Sequence, residues 1–324
     1  MPLTLFEEPA RPPLIVSPVT LMKLIEAEDV GEIEAVMRRL RLGPEDFSAE
    51  TKFNGWLTQS AGGRLYSHGG LELTTKFPEI AAAIAPYTRE HLVGELVYWT
   101  PEGTMKLQTV GSIATTKNDR EAHAKLRALP GHFELILFDA IALGGYEIAR
   151  LPTYERYEAL IDTVQVGDPL RISQMHPFRD WKTVFEAGVA AGGDGLVVKN
   201  LHAPYVWRPL GEPAPRPVGV WYKLKPSLTD DFVVFDASRG PKGKLLAHVG
   251  QYYQGRLVDL GAVNNFSSEI EREILERLKR GPFVMEIEFT SRFPDTGALQ
   301  HGRFFSFRDD KDVREAVLPE RYAP

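Results

Sequence analysis

The 324-residue chain contains no cysteine. That absence excludes disulfides, thiolate metal sites and thiol nucleophiles together, so any covalent chemistry must use another side chain. Long apolar runs are also missing: nothing reaches the roughly 18 residues needed to cross a bilayer. The opening MPLTLFEEPARPP has none of the basic-then-apolar layout of a secretory signal. A cytoplasmic setting with no membrane partner is expected by default; a bacterial, phage or viral origin and a monomeric state are separate expectations, which these absences do not decide. A basic excess is lacking too, since 38 Lys and Arg face 44 Asp and Glu for a net charge of −6. A negative balance argues mildly against nucleic acid as a partner, unless the cations converge on one face.

What is present is an ordinary globular composition, 43% hydrophobic and 25% charged. At this length, with about 100 to 200 residues per domain, two domains are expected. Ser17-Pro18 reads as an N-cap followed by a first-turn proline, which predicts a short helix through Met22 and Leu24. Between Glu50 and about Lys225, strand-like runs such as GELVYW, FELILFDAIAL and DGLVVK alternate with helical stretches such as LPTYERYEALIDTV, which indicates an α+β domain. The five prolines within LHAPYVWRPLGEPAPRPVG mark a surface loop before a strand resumes at Val220. Beyond Pro226 the runs are short and β-like, with one helix, FSSEIEREILERLKRG, carrying a capping box from Ser268 to Glu271 and a terminal Gly281. Strands plus one helix over about 95 residues is the outline of an oligonucleotide-binding (OB-fold) β-barrel. The boundary is placed near 227, giving domains 1–227 and 228–324.

The informative signal is a series of polar clusters at the ends of strand-like runs. In order they are Glu50-Thr51-Lys52-Phe53-Asn54-Gly55, Gly94-Glu95, Phe138-Asp139, Asp194-Gly195-Leu196-Val197-Val198-Lys199, Trp221-Tyr222-Lys223-Leu224-Lys225 and Arg308-Asp309-Asp310-Lys311. Any one of them is weak; six in a fixed order are specific. Together they resemble the six nucleotidyltransferase motifs of the ATP-dependent DNA ligase and mRNA-capping superfamily. Arg64-Leu65-Tyr66-Ser67, Phe77-Pro78-Glu79-Ile80 and Gly302-Arg303-Phe304-Phe305-Ser306-Phe307-Arg308 bring the ligase branch closer.

The resemblance implies a minimal two-domain ligase, an adenylation domain with antiparallel sheets and helices followed by the OB-fold barrel. It implies that Lys52 is the nucleophile, attacking ATP to form lysyl-AMP. AMP then passes to a 5′-phosphate in nicked duplex DNA, and the 3′-hydroxyl displaces it. A lysine attacks phosphorus only as a neutral amine, so nearby positive charge or desolvation is expected at Lys52. Lys223 and Lys225, two apart on one strand, point the same way and could both reach phosphates. Glu95 and Asp194 match carboxylates that contact ribose or hold Mg²⁺, with Mn²⁺ an alternative. Phe138 matches the aromatic that stacks on adenine, and Glu50 lines the purine pocket. Thr51, Asn54, Gly55 and Lys199 belong to the same nucleotide-binding motifs. Arg308 and Lys311 match residues that align the β- and γ-phosphates when the second domain closes.

Four positions depart from the commonest ligase pattern. Asn54 stands where Asp is usual, and an amide there would favour the neutral amine of Lys52. Leu57 and His68 replace arginines that commonly contact phosphate. Asp194 replaces Glu, as in capping enzymes. Only about 50 residues precede Lys52, too few for the large helical DNA-binding domain of bigger ligases. A salt-sensitive grip on nicks by two domains is expected. An RNA ligase, a capping-type guanylyltransferase and a non-catalytic nucleic-acid-binding module are the alternatives.

Overall fold

The computed structural model describes residues 17–226, 228–240, 243–293 and 296–322. The chain divides into two units, Met1–Lys225 and Pro226–Pro324. Its elements are mixed helices and strands, and the sheets are mostly antiparallel.

Two sheets organise the first unit. One has the order His176–Pro177 (β10), Phe47–Thr51 (β3), Leu196–Asn200 (β11), Trp221–Leu224 (β13) and Ile25–Ala27 (β2), with strands numbered along the chain. Only the β13–β2 pair is parallel. Period-two alternation sorts its faces. Phe47, Ala49, Leu196, Val198, Tyr222 and Leu224 pack on helices Val30–Leu40 (α1) and Trp181–Ala190 (α6) through Ile33, Met37 and Val184. Ser48, Glu50, Val197, Lys199, Trp221 and Lys223 are consequently left on the opposite face. In register, Val197 lies between Glu50 and Lys223, and Glu26 lies beyond Lys223.

The other sheet runs Arg64–Ser67 (β5), Trp56–Ala61 (β4), His91–Trp99 (β6), His132–Leu143 (β7) and Tyr146–Glu147 (β8), with Leu170–Ile172 (β9) parallel to β7. Helices Pro78–Ile84 (α2), Leu107–Ala114 (α3), Asp119–Ala128 (α4) and Thr153–Thr163 (α5) cover one face. Their Ile80, Val110, Ala122 and Leu160 join Leu92 and Leu96 in one apolar cluster. Full burial of a leucine of this kind contributes roughly 1.5–3 kcal/mol. On the other face, Val93 and Ile141 meet Trp221 and Tyr205, while Val97 and Ile136 pack with Phe53. The two sheets thus face one another across these contacts, with the polar face of the first sheet turned inward.

The predicted helix through Met22 and Leu24 is not formed. Val19–Leu21 is a strand (β1) paired with Trp207–Pro209 (β12). The Val19 N–H donates to Gln59 Oε1 at 2.8 Å, and Gln59 Nε2 donates back to the Val19 carbonyl at 2.9 Å. A buried side chain from a distant strand therefore satisfies the backbone groups that a helix would have bonded locally. The same pairing corrects the loop reading of 200–219, whose middle supplies β12. Pro209 is accommodated because, among the described residues, β12 pairs only with β1 and is an edge strand.

The second unit has a five-stranded antiparallel sheet, ordered Arg256–Val263 (β16), Leu245–Tyr253 (β15), Leu228–Arg239 (β14), Phe283–Phe289 (β17) and Arg303–Phe307 (β20). The short pair Ser291–Arg292 (β18) and Leu299–Gln300 (β19) stands apart from it. Helix Ser268–Leu278 (α7) places Ile274 in the core with Phe232, Val249 and Met285. Its N-cap is Ser267, whose hydroxyl accepts from the Ile270 N–H, one residue earlier than the sequence suggested. Glu271 is drawn elsewhere, accepting from the Leu245 N–H and from Arg239, each at 3.2 Å.

Candidate active site

Lys52 follows β3 directly, and its backbone is clamped to the loop before β11. Its N–H donates to the Gly195 carbonyl at 2.9 Å, and the Lys52 carbonyl accepts from the Asp194 N–H at 2.7 Å. Its ammonium pairs with the Asp194 carboxylate. Gly195 has φ +114°, and a Cβ there would lie 2.1 Å from the Leu224 carbonyl oxygen. Only glycine allows β13 to approach so closely. Gly55 is required for a similar reason, since its Cβ would lie 2.3 Å from the Leu96 carbonyl oxygen of β6.

A cavity of about 440 Å³ opens between the two sheets of this unit. From the first sheet come Glu50, Val197, Lys199 and Trp221, with Thr51 and Lys52 at the end of β3. From the second come Gly55, Trp56, Leu57, Glu95 and Phe138. His68 and Leu57, which stand at two of the four atypical positions, both border it. Its wall thus carries aromatic faces, the amines of Lys23, Lys52 and Lys199 and the carboxylates of Glu50 and Glu95, a combination suited to a planar heterocycle bearing a phosphate chain.

Glu50, Lys52, Glu95 and Lys199 in the wall each have a defined partner. Lys199 is fully buried and donates to the Phe138 carbonyl at 2.9 Å while pairing with Glu50 Oε1 at 2.6 Å. It also lies 4.2 Å from the centre of the Trp221 ring. Burial pushes the Glu50 carboxyl above its ordinary range, an effect opposed by Lys199 and by the Ser173 hydroxyl. Ser173 donates to Glu50 Oε2 at 2.7 Å. Glu95 is partly buried, and desolvation raises its carboxyl to about 7, against the attraction of Lys52 and a hydrogen bond from the Gly55 N–H. The Asp194 charge adds to the upward shift. Asn54 stands beside the cavity and donates from Nδ2 to the Gly192 carbonyl at 3.2 Å.

The other sequence-expected residues lie elsewhere. Among the described residues, Lys223 and Lys225 are not part of the cavity wall. Lys223 shares the inward face with Glu50 but is tied to Glu26 at 2.7 Å. Arg308 and Lys311 belong to the second unit, where both pair with Asp231 on β14. Arg308 also grips Asp310 with two 2.9 Å bonds, which holds the Asp310 carboxyl down at about 2. Trp221, Lys23, Leu24 and Ser173 border the cavity but were missed by sequence reasoning. Trp221 was legible, because the alternation that put Lys223 and Lys225 on one face includes it. Ser173 had no local signal.

The profile of the ATP dependent DNA ligase domain matches residues 25–225 of the chain. The chain belongs to that family. The matched segment contains the whole of the cavity wall described above except Lys23 and Leu24, which immediately precede it. Relatives include the DNA ligase of Thermococcus onnurineus (strain NA1), 26% identical over 291 residues that cover 80% of this chain and 50% of the relative. A probable DNA ligase of Anaeromyxobacter dehalogenans (strain 2CP-C) is 28% identical over 283 residues, 78% of this chain and 53% of that one. The chain spans about half the length of these curated relatives. Among solved structures, one described as "DNA binding with a minimal scaffold: Structure-function analysis of Lig E DNA ligases" has a TM-score of 0.60 at 15% identity. The match covers 89% of this chain and 98% of that one, and shows a shared fold.

Proposed function

We propose that the chain is an ATP-dependent DNA ligase that seals 3′-hydroxyl/5′-phosphate breaks through lysyl-AMP on Lys52. The observation that carries this reading is the placement of the Lys52 amine at the mouth of the purine-sized cavity, with Asp194 on it and Glu95 close enough to feel its charge. In that reading Phe138 stacks on adenine, Glu50 and Lys199 line the base pocket, and Thr51, Asn54 and Gly55 shape the turn behind the nucleophile. Lys52 attacks the α-phosphorus of ATP, the new N–P bond forms as the P–O bond to pyrophosphate breaks, and the ammonium proton is lost to solvent or a nearby carboxylate. The 5′-phosphate oxygen of DNA then takes the AMP from Lys52, and the 3′-hydroxyl displaces AMP to close the strand.

A divalent ion fits the site. Glu95 and Asp194 offer only oxygen donors, and the described residues hold no group of three or more His, Asp or Glu side chains that would cage a metal alone. Such a sparse donor set suits Mg²⁺ or Mn²⁺, which retain water and share phosphate oxygens. When bound, the ion would neutralise charge on the phosphates and on the pyrophosphate that departs. Lys223 and Lys225 would support the phosphates once Lys223 leaves Glu26. Arg308 and Lys311 would exchange Asp231 for the β- and γ-phosphates during the first step.

The remaining assignments follow the same reading. Residues 1–227 form the adenylation domain, and 228–324 form an OB-fold barrel, supported by five antiparallel strands bent by bulges and one helix closing the core. The substrate is nicked duplex DNA, and the protein acts as a monomer in the cytoplasm.

Incubation with α-labelled ATP or GTP and Mg²⁺ tests the reading. Acid-stable label from ATP on the wild type, none on Lys52→Ala, and discharge by nicked DNA are expected. Label from GTP in preference to ATP, or label that survives Lys52→Ala, would sink it.

A further inference from the structure

We propose that Ser173 is a positioning residue for nucleotide selectivity: its hydroxyl fixes the Glu50 carboxylate as a pure acceptor, which admits a purine edge bearing an amine and refuses one bearing a carbonyl. The inference rests on reading the cavity as a nucleotide pocket.

Ser173 lies one residue past β9 and is held by every polar group it has. Its N–H donates to the Leu137 carbonyl at 2.6 Å, and its carbonyl accepts from the Tyr157 hydroxyl at 2.9 Å. A serine hydroxyl has one proton, and here that proton goes to Glu50 Oε2. Both residues are 2% exposed, so water does not compete for the bond.

Lys199 occupies the other carboxylate oxygen and is itself restrained by the Phe138 carbonyl and the Trp221 ring. Glu50 Oε2 therefore has a fixed hydrogen-bond donor, while Oε1 has the Lys199 charge beside it but no hydrogen-bond partner among the described residues, and both retain acceptor capacity. Glu50, Ser173 and Lys199 all border the cavity, so a ligand edge reaching Glu50 meets an acceptor. The exocyclic amine at position 6 of adenine satisfies it. The carbonyl at the same position of guanine places oxygen against oxygen.

The alternative state of Glu50 shows why the second donor matters. A buried carboxyl tends toward its protonated form, and the nearby Asp139 charge pushes in the same direction. A protonated carboxyl carries an O–H that can donate to a carbonyl, which would erase the distinction. The charged neighbours facing Glu50 are Lys199 from β11 and Asp139 from β7, while Tyr157 approaches from α5. Ser173 is the neutral donor that tips this group toward the carboxylate.

The test measures acid-stable label on wild type, Ser173→Ala, Glu50→Gln and the double variant as a function of nucleotide concentration. The nucleotides are ATP, GTP and purine riboside triphosphate, which has no substituent at position 6. Loss of one hydrogen bond to a charged group predicts that Ser173→Ala lowers the ATP-over-GTP preference about tenfold. The change should come through the half-saturating concentration of ATP, with purine riboside triphosphate within about twofold of wild type. In the Glu50→Gln background Ser173→Ala should leave the preference unchanged, because it acts through Glu50. Tyr157→Phe, which loosens Ser173 from the other side, should lower the preference as well and serves if Ser173→Ala does not fold. An unchanged preference in folded variants overturns the inference, as does an equal loss for ATP and purine riboside triphosphate. Wild-type labelling in those cases leaves the nucleotide-pocket reading standing. No label on the wild type from any nucleotide overturns that reading and the inference with it.

Discussion

Lys52 and Asp194 are joined twice, by the ion pair between their side chains and by the hydrogen bond from the Asp194 N–H to the Lys52 carbonyl at 2.7 Å. The second bond does not depend on the carboxylate, so the two roles of Asp194 can be separated. The pair is only partly buried, with 23% and 19% of the side chains exposed, and contributes roughly 0–1 kcal/mol to stability. Asp194→Asn should therefore leave thermal unfolding nearly unchanged while slowing lysyl-AMP formation by about tenfold or more, the loss expected when a charged group is removed from a phosphate site. Labelling kinetics and calorimetry on the same preparation decide it. A variant that unfolds early, or one that labels at the wild-type rate, contradicts the assignment.

Glu95 should make stability depend on pH. Its carboxyl is raised from about 4.5 to about 7 in the folded chain. The folded state therefore holds a proton between those values that the unfolded state has released. Its contribution is full below pH 4.5 and disappears as pH rises through 7. Glu95→Gln, which cannot ionise, should gain roughly 2–3 kcal/mol relative to wild type between pH 4.5 and pH 8. Urea unfolding of both proteins across that range measures the difference, and parallel curves would rule the shift out.

Asn54 donates to the Gly192 carbonyl, which a carboxylate cannot do. Asn54→Asp should cost about 1–3 kcal/mol through two facing acceptors. It should also move the pH profile of AMP transfer upward by placing negative charge beside Lys52. Wild-type stability with an unmoved profile in this variant would count against both effects.

Arg156 and Asp139 form a bidentate pair within the first unit, with both bonds at 2.8 Å and the side chains 0% and 2% exposed. Arg156 also donates to the Ala203 carbonyl at 3.0 Å, tying α5 to the segment that leads into β12. Arg156→Met leaves a buried carboxylate without its partner and should cost about 3–5 kcal/mol. Adding Asp139→Leu should restore much of the loss. A double variant less stable than the single one, by denaturant unfolding, would show that the pair is not balanced in this way.

The strand runs around the site were legible because they are apolar runs bounded by turn signals. GELVYW and FELILFDAIAL lie within β6 and β7, the LVVK of DGLVVK opens β11, and LPTYERYEALIDTV contains α5. The stretch through Met22 and Leu24 misled because a cap signal is local, whereas Gln59 and the β12 backbone reach it from 40 and about 190 residues away. The Ser267 cap of α7 was misplaced by one residue because two adjacent serines, Ser267 and Ser268, stand at the helix start and Glu271 found partners on β15 and at Arg239.

Sequence by itself determined the family and the order of the polar clusters, since these depend on residue types at short spacings. Gly55 and Gly195 lie within those clusters, but the reason for each became visible only in the backbone that it meets. Tertiary structure decided which cations reach the cavity. Lys199 does so because strand pairing sets it opposite Ser48 and Trp221 on the inward face. Lys223 is held by Glu26 through a parallel pairing that no short-range pattern encodes. Tertiary structure likewise brought Ser173 to Glu50 across 123 residues of chain, because a hydrogen bond depends on distance in space and not on separation in sequence.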